Sequence, residues 1–248
     1  MNAFEFHCPT RIICGEHALH KLPVILVEMG VTKPLVVTDA NLVALGITDH
    51  AIHRLTEAGF PFAFYDQVPP DSSLSVVNDV AAIYEQEGCD GFIAFGGGSV
   101  IDGTKLIAAG LLYDGDAWEL VRKGASQRTV PLGTVLTIPA TGSEMNNGAV
   151  ISRRETKEKY PFYGNYPLFS ILDPEKTFTL PQRQVACGLA DTFVHVMEQY
   201  MTVAGQSRVM DRWAEGILQT LVEIAPEIRE NQHDYDLMAD FMLSATMG

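Results

Sequence analysis

Apolar positions along this chain follow two rhythms, and the change from one to the other divides it. Through the first 172 or so residues, short β-branched runs alternate with stretches of helical period. KPLVVTD, FAFYDQV, DGFIAFGGG and PLGTVLTIPA are near-continuous apolar runs bounded by turn residues, as expected of strands buried on both faces. GAVISRR and LFSILDP read as two further strands, and FEFHC with RIICG as a short N-terminal hairpin. Between them EHALHKLPVILVEMG, ITDHAIHRLTEAGF, SLSVVNDVAAIYEQEG and SVIDGTKLIAAGLL carry helical spacing, the second and third stopping at Gly59 and Gly88. Such alternation predicts right-handed βαβ units and a parallel sheet covered by helices.

After LDPEKTFTLP only helical pattern remains, in RQVACGLADTFVHVMEQYM, SRVMDRWAEGILQTLVEIAPEIRE and YDLMADFMLSAT. The expected fold is an α/β domain with a parallel sheet over residues 1–179, followed by an all-helical domain over 180–248.

Composition narrows the function. Hydrophobic residues make up 47% of the 248 and charged ones 19%, a globular balance. A net charge of −14 disfavours nucleic acids and anionic membranes, both of which are bound through basic patches. Cys8, Cys14, Cys89 and Cys187 form no C-x-x-C pair, the N-terminus lacks a secretory pattern, and no apolar run is long enough to span a bilayer. A reduced, soluble, cytoplasmic protein is expected.

Two strand ends carry candidate chemistry. In AFGGGSVIDGTK a strand runs into three glycines and opens a helix, an arrangement that lets phosphate reach backbone N–H groups at the positive end of the helix dipole. It is not G-x-G-x-x-G, and the competing reading is a tight turn closed by a Ser99–Asp102 capping box. In TIPATGSEMNNGAV a strand again ends in small hydroxyl residues, where Thr141 and Glu144 also fit a capping box. Asp39, closing KPLVVTD, is either a ribose ligand that favours NAD(H) over NADP(H) or the N-cap of the next helix. All three lie at carboxyl ends of expected parallel strands, the edge where open α/β sheets bind ligands.

In GLADTFVHVMEQY, Leu189, Phe193, Val196 and Tyr200 make one apolar stripe on a helical wheel. Asp191, His195 and Glu198 gather opposite, and Val194, Met197 and Met201 fill the flanks, so the helix reads as well buried. Asp191 and His195, four apart, could share a divalent cation or form a hydrogen-bonded polar stripe. The other histidines (His7, His17, His20, His50, His53 and His233) share no ligand spacing with them. Trp213, Ile217 and Leu221 read as core, and RRETKEK as a solvated hairpin or loop.

Taken in order, TD at 38–39, GGGSVIDGTK, LTIPATGSE, GAVIS, ILDPEKTFTLP and QVACGLADTFVHVMEQY resemble the iron-containing (group III) alcohol dehydrogenase family along essentially the whole chain. Within it the butanol dehydrogenase and broad aldehyde reductase branch is the nearest match. The resemblance implies a dinucleotide-binding α/β domain, a helical metal domain and an active site between them. Gly97, Gly98 and Ser99 would cradle the pyrophosphate, with Thr137 and Thr141 near the adenine side or the phosphates. Lys159 would contact the ribose, Leu180 would pack near the base, and Asp102 would lie near the nicotinamide. Asp191 and His195 match the first two metal ligands, for Fe2+ or Zn2+. The implied reaction is hydride transfer between a small alcohol or aldehyde and the nicotinamide, in a homodimer.

One departure qualifies the resemblance. The family pattern supplies two further histidine ligands on later helices, whereas His233, in the polar stretch ENQHDYD, is the only histidine after His195. The chain therefore reads as a dehydrogenase with half of its ligand set and with apolar helix faces left uncovered. A dinucleotide-binding or scaffolding module without turnover, an oligomer whose partner supplies ligands, and a zinc-using glycerol-type dehydrogenase are the alternatives.

Overall fold

The computed structural model describes residues 3, 5–69, 76–126, 128–202 and 207–248. Its strands are β1 (Arg11–Cys14), β2 (Pro34–Val37), β3 (Ala63–Tyr65), β4 (Gly91–Gly96), β5 (Leu132–Leu136), β6 (Gly148–Arg153), β7 (Glu158–Tyr163) and β8 (Phe169–Leu172). Six of them form one sheet in the order β1-β8-β5-β4-β2-β3, with every neighbouring pair parallel.

Alternation along each strand explains why both sheet faces are covered. Phe92 and Ala94 of β4 point into a core shared with α4 (Val77–Glu87), α5 (Gly98–Gly110) and α6 (Ala117–Lys123). Ile93 and Phe95 point the other way, against α1 (Leu22–Glu28), α2 (Ala40–Ala44) and α3 (Asp49–Glu57). Gly133 of β5 is paired in register with Phe169 of β8, and a Cβ there would come within 2.1 Å of the Phe169 ring. The helix stops fall where expected: Gly59 and Gly88 each adopt φ +65°, the left-handed conformation open to glycine.

Two strand expectations are corrected. No N-terminal hairpin forms among the described residues; only RIIC is a strand, and it pairs with β8, far away in sequence. GAVISR is not in the main sheet, because β6 pairs antiparallel with β7 as a separate hairpin. The RRETKEK stretch is the turn of that hairpin together with the strand ends beside it, the solvated role expected of it. The short helix α6 had local signals that the pattern reading passed over: Asp116 caps Trp118 N at 2.9 Å, and Gly124 closes the helix at φ +81°.

Beyond Pro181 come α7 (Gln182–Thr202), α8 (Arg208–Glu230) and α9 (Tyr235–Met247), as their periodicity predicts. They have a core of their own, built from Leu180, Val185, Leu221, Ile224, Ile228, Met238, Phe241 and Ala245. α9 is its centre, with Met238 and Phe241 fully buried. The expectation that α7 is well buried is corrected. Its buried residues are Val185, Gly188, Thr192 and Val196, a stripe at helical spacing along one side. Val194 (59%) and Met201 (72%) are exposed, and Trp213 of α8, expected in the core, is 51% exposed. The apolar stripes of α7 and α8 are wider than the contact these helices make with each other and with α9.

Candidate active site

β4 ends at Gly96 and α5 begins two residues later, N-capped by Gly97 at φ −88°, ψ −171° with no side-chain cap. A Cβ on Gly97 would lie 3.2 Å from Ile138, and one on Gly98 would lie 3.0 Å from Thr141 Oγ1. The glycines thus bring the start of α5 against the loop that follows β5. Neither capping box forms. Both Asp102 oxygens are engaged elsewhere, and no helix follows Thr141, whose Oγ1 accepts from Ser143 N at 3.3 Å.

The same edge carries unsatisfied polar groups. Among the described residues, the buried hydroxyls lacking a hydrogen-bond partner are those of Thr10, Thr38, Thr48 and Thr137. Thr38 and Thr137 directly follow β2 and β5, the strands on either side of β4. Buried hydroxyls carry a desolvation penalty unless something pairs with them, so this edge fits a polar ligand such as a dinucleotide. Asp39, half-buried, N-caps α2: its Oδ1 accepts from Asn41 N (2.9 Å) and Leu42 N (3.1 Å). That is the capping alternative anticipated for it, and it is compatible with the other oxygen facing a ribose.

A polar network links α5 to the segment that leads into β6. Asp102 Oδ1 accepts from Ser143 Oγ (2.6 Å) and Oδ2 from Val150 N (2.8 Å). Lys105 Nζ donates to Ser143 Oγ (2.9 Å), Asn146 Oδ1 (3.2 Å) and Gly148 O (2.6 Å). Glu144 is buried beside them, its Oε1 accepting from Thr246 Oγ1 of α9 at 2.6 Å. Burial pushes the Asp102 and Glu144 carboxyls up and the Lys105 amine down to about 8, outweighing the attraction between lysine and acids. Lys159, exposed on β7, acts on Asp102 in the opposite sense and so belongs to the same neighbourhood. Lys105, Ser143, Asn146 and Thr246 carry no assigned role in the sequence reading. The available signal was a lysine running directly into the apolar stretch LIAAG.

α7 docks on the other side of this segment. A Cβ on Gly188 would come within 2.5 Å of Pro139 O and 3.0 Å of the Phe241 ring, so only glycine lets the helix approach this closely. One turn on, Thr192 Oγ1 lies 3.2 Å from Ala140 O and 2.9 Å from Gly188 O. Asp191 and His195 face outward on the same helix, 48% and 46% exposed, with Oδ2 and Nε2 3.6 Å apart. That separation is close to the edge of a tetrahedron with metal bonds of about 2.1 Å, roughly 3.4 Å, so the pair fits two ligands of one cation. Among the described residues no third His, Cys, Asp or Glu donor joins them; His233 instead packs at 5.7 Å from the Phe178 ring. Among the described residues the three-donor group is Glu16, His17 and Glu175, which includes neither Asp191 nor His195.

His195 shares a cavity of about 720 Å3 with Thr141, Gly142, Asn146, Thr192 and Thr246. Leu180, 8% exposed, packs in the helical core. Thr141 and His195 thus line one cavity, with Gly98 against Thr141 and Asp102 in the polar network that reaches Asn146.

A family model, iron-containing alcohol dehydrogenase, matches residues 9–174. The chain belongs to this family. It is 40% identical over 250 residues to the probable NADH-dependent butanol dehydrogenase 1 of Bacillus subtilis, covering 100% of this chain and 65% of that protein. It is 36% identical to the NADPH-dependent aldehyde reductase YqhD of Escherichia coli, covering 99% and 64%. The crystal structure of NADH-dependent butanol dehydrogenase A from Thermotoga maritima superposes with a TM-score of 0.94 at 34% identity, covering 99% of this chain and 63% of that one. The chain therefore spans a little under two thirds of each of these relatives. Its parallel sheet followed by helices is the fold of this family.

Proposed function

We propose that this iron-containing alcohol dehydrogenase family member carries the dinucleotide cleft and the first two metal ligands of an NAD(H)-linked alcohol dehydrogenase or aldehyde reductase. One observation carries the reading: Thr141, seated against the glycine opening of α5, and His195 of α7 line the same cavity. A phosphate-binding helix start and a metal-ligating pair are both needed within reach of one substrate.

In this reading Gly97, Gly98 and Ser99 receive the pyrophosphate, Thr137 and Thr141 pair with the phosphates or the adenine side, and Lys159 reaches the ribose. Asp102 has both oxygens engaged by Ser143 and Val150, so its part is to position the wall at the nicotinamide end rather than to move a proton. Asp39 favours NAD(H), because a second anion beside its carboxylate is repelled. Leu180 lends an apolar wall only at its edge, being mostly committed to the helical core. Asp191 and His195 are the residues that would hold the cation, and His195 lines the cavity. A bound Fe2+ or Zn2+ supplies Lewis-acid polarisation of the alcohol or carbonyl oxygen, and the nicotinamide supplies the hydride chemistry. The helices from Pro181 onward form the metal-bearing domain, with the division near residue 179. The protein is assigned to the cytoplasm as a homodimer; its four cysteines are all free, in keeping with a reducing compartment.

The test is a fluorescence titration of the chain with NADH and with NADPH, alongside metal analysis of the parent and of the Asp191→Ala/His195→Ala double variant. NADH binding together with Fe2+ or Zn2+ that the double variant loses is the expected result. Absence of dinucleotide binding, or metal retained by the double variant, would overturn the assignment.

A further inference from the structure

Asp102 and Lys105 tie α5 to residues 143–150 through five hydrogen bonds: Asp102 accepts two and Lys105 donates three. Lys105 is 1% exposed. An ammonium has three N–H donors and no acceptor, and its partners here (Ser143 Oγ, Asn146 Oδ1 and Gly148 O) are three acceptors. The match is complete, with no donor left for solvent. Even when fully paired, a buried charge loses in desolvation about what it gains in attraction, so stability alone gives little reason for the arrangement.

What the grip holds supplies that reason. Thr141, Gly142, Met145 and Asn146 line the cavity that His195 shares, and Gly148 opens the hairpin whose second strand carries Lys159. Gly98 and Lys105 stand seven residues apart on α5, about two helical turns. One rigid helix therefore presents the glycine loop at its start, against Thr141, and two turns later grips the segment that continues from Thr141 along the cavity.

The geometry points to Lys105 as a positioning residue that sets the width of the dinucleotide cleft, by holding the 143–148 segment and the β6–β7 hairpin at a fixed distance from the start of α5. The ligand in this inference rests on the dinucleotide reading above; the grip itself does not. The titratable groups around the ammonium are Asp102 on its own helix, Glu144 on the gripped segment and Lys159 beyond Asp102 on β7. Above about pH 8, where burial has moved the lysine, the amine keeps only two N–H donors and one of its three acceptors is released.

Hydrogen–deuterium exchange on the free chain tests the grip directly. In Lys105→Met, a permanently uncharged side chain of similar length, exchange across residues 143–150 should rise roughly tenfold while β4 and β5 stay protected. Ser143→Ala, which removes the hydroxyl shared by Asp102 and Lys105, should raise it by a smaller factor. NADH titration at about pH 6.5 and about pH 9.5 then reads the cleft. The parent should bind more weakly at the higher pH; Lys105→Met should bind roughly tenfold more weakly at the lower pH and lose that dependence. Unchanged exchange at 143–150 in Lys105→Met, or parental NADH affinity with a parental pH profile, overturns the inference. If Lys105→Met does not fold, Ser143→Ala decides in its place: unchanged exchange there overturns the grip. A parent chain that binds no NADH at either pH counts against the dinucleotide reading, and the exchange data still decide the grip.

Discussion

Thr192 Oγ1 stands 3.2 Å from Ala140 O, joining the helix of Asp191 and His195 to the loop that follows β5. Gly188, one turn earlier, has no side chain because Pro139 O occupies the space. The spacing G-x-x-D-x-x-x-H thus has two parts on two faces of α7. Gly188 and Thr192 dock the helix, and Asp191 and His195, the proposed ligand pair, stand on the side left open.

Gly188→Ala separates docking from ligation. Its Cβ would sit 2.5 Å from a backbone carbonyl, which cannot rotate away, so α7 must shift. A loss of about 1–3 kcal/mol in denaturant unfolding is expected, with weaker metal binding although no ligand has changed. Parental stability together with parental metal affinity would show that the close approach is not needed.

Gly98→Ala probes the loop with the opposite signature. Gly98 has ordinary helical backbone, and its Cβ would meet only the movable Thr141 hydroxyl, at 3.0 Å. Thermal stability should hold or rise slightly, since alanine favours helix, while NADH affinity falls roughly tenfold as the methyl enters the phosphate cradle. Equal NADH affinity in variant and parent would remove Gly98 from the cradle.

Asp39→Gly changes two things of different size. Loss of the cap to Asn41 and Leu42 costs roughly a few tenths of a kcal/mol, since glycine is itself a tolerated N-cap. Removal of the carboxylate should improve NADPH binding relative to NADH by roughly tenfold. Titrating both variants with both cofactors checks this; an unchanged ratio leaves Asp39 as a cap alone.

Glu144→Gln tests the buried acid through pH. Burial raises the Glu144 pKa above 4.5, its ordinary value, so the glutamate stabilises the fold most below 4.5. That contribution is lost as pH rises through the raised value and the folded state must hold a buried anion. Glutamine keeps an oxygen for Thr246 and never ionises. Its melting temperature should match the parent's in acid and exceed it near neutrality. A gap that is constant with pH would mean that Glu144 does not titrate in the folded protein.

Much of the architecture was legible because burial is written locally. Phe92, Ile93, Ala94 and Phe95 are apolar in succession because alternate side chains enter two different cores, and this marks a strand covered on both faces. Gly59 and Gly88 end their helices for a backbone reason that no tertiary contact alters. The glycine opening of α5 and the Asp191–His195 spacing were visible in the same way, since each lies within one element or one turn.

Tertiary structure decided what periodicity does not record, namely the partner. RIIC and GAVISR have equally good strand composition, yet the first joins the sheet beside β8 and the second folds back on EKYPFY. Nothing within either stretch names its neighbour, because backbone pairing depends on where a distant strand lies. The same holds for chemistry. Lys105 meets acceptors 38, 41 and 43 residues away, and Thr246 meets Glu144 across 102 residues. A side chain's element follows from its near neighbours in sequence, but its hydrogen-bond partners follow from how the chain crosses itself. The sequence by itself therefore determined the six sheet strands, most of the helices, and the glycine and Asp–His motifs. Only the folded chain decided which residues hold those motifs at working distance.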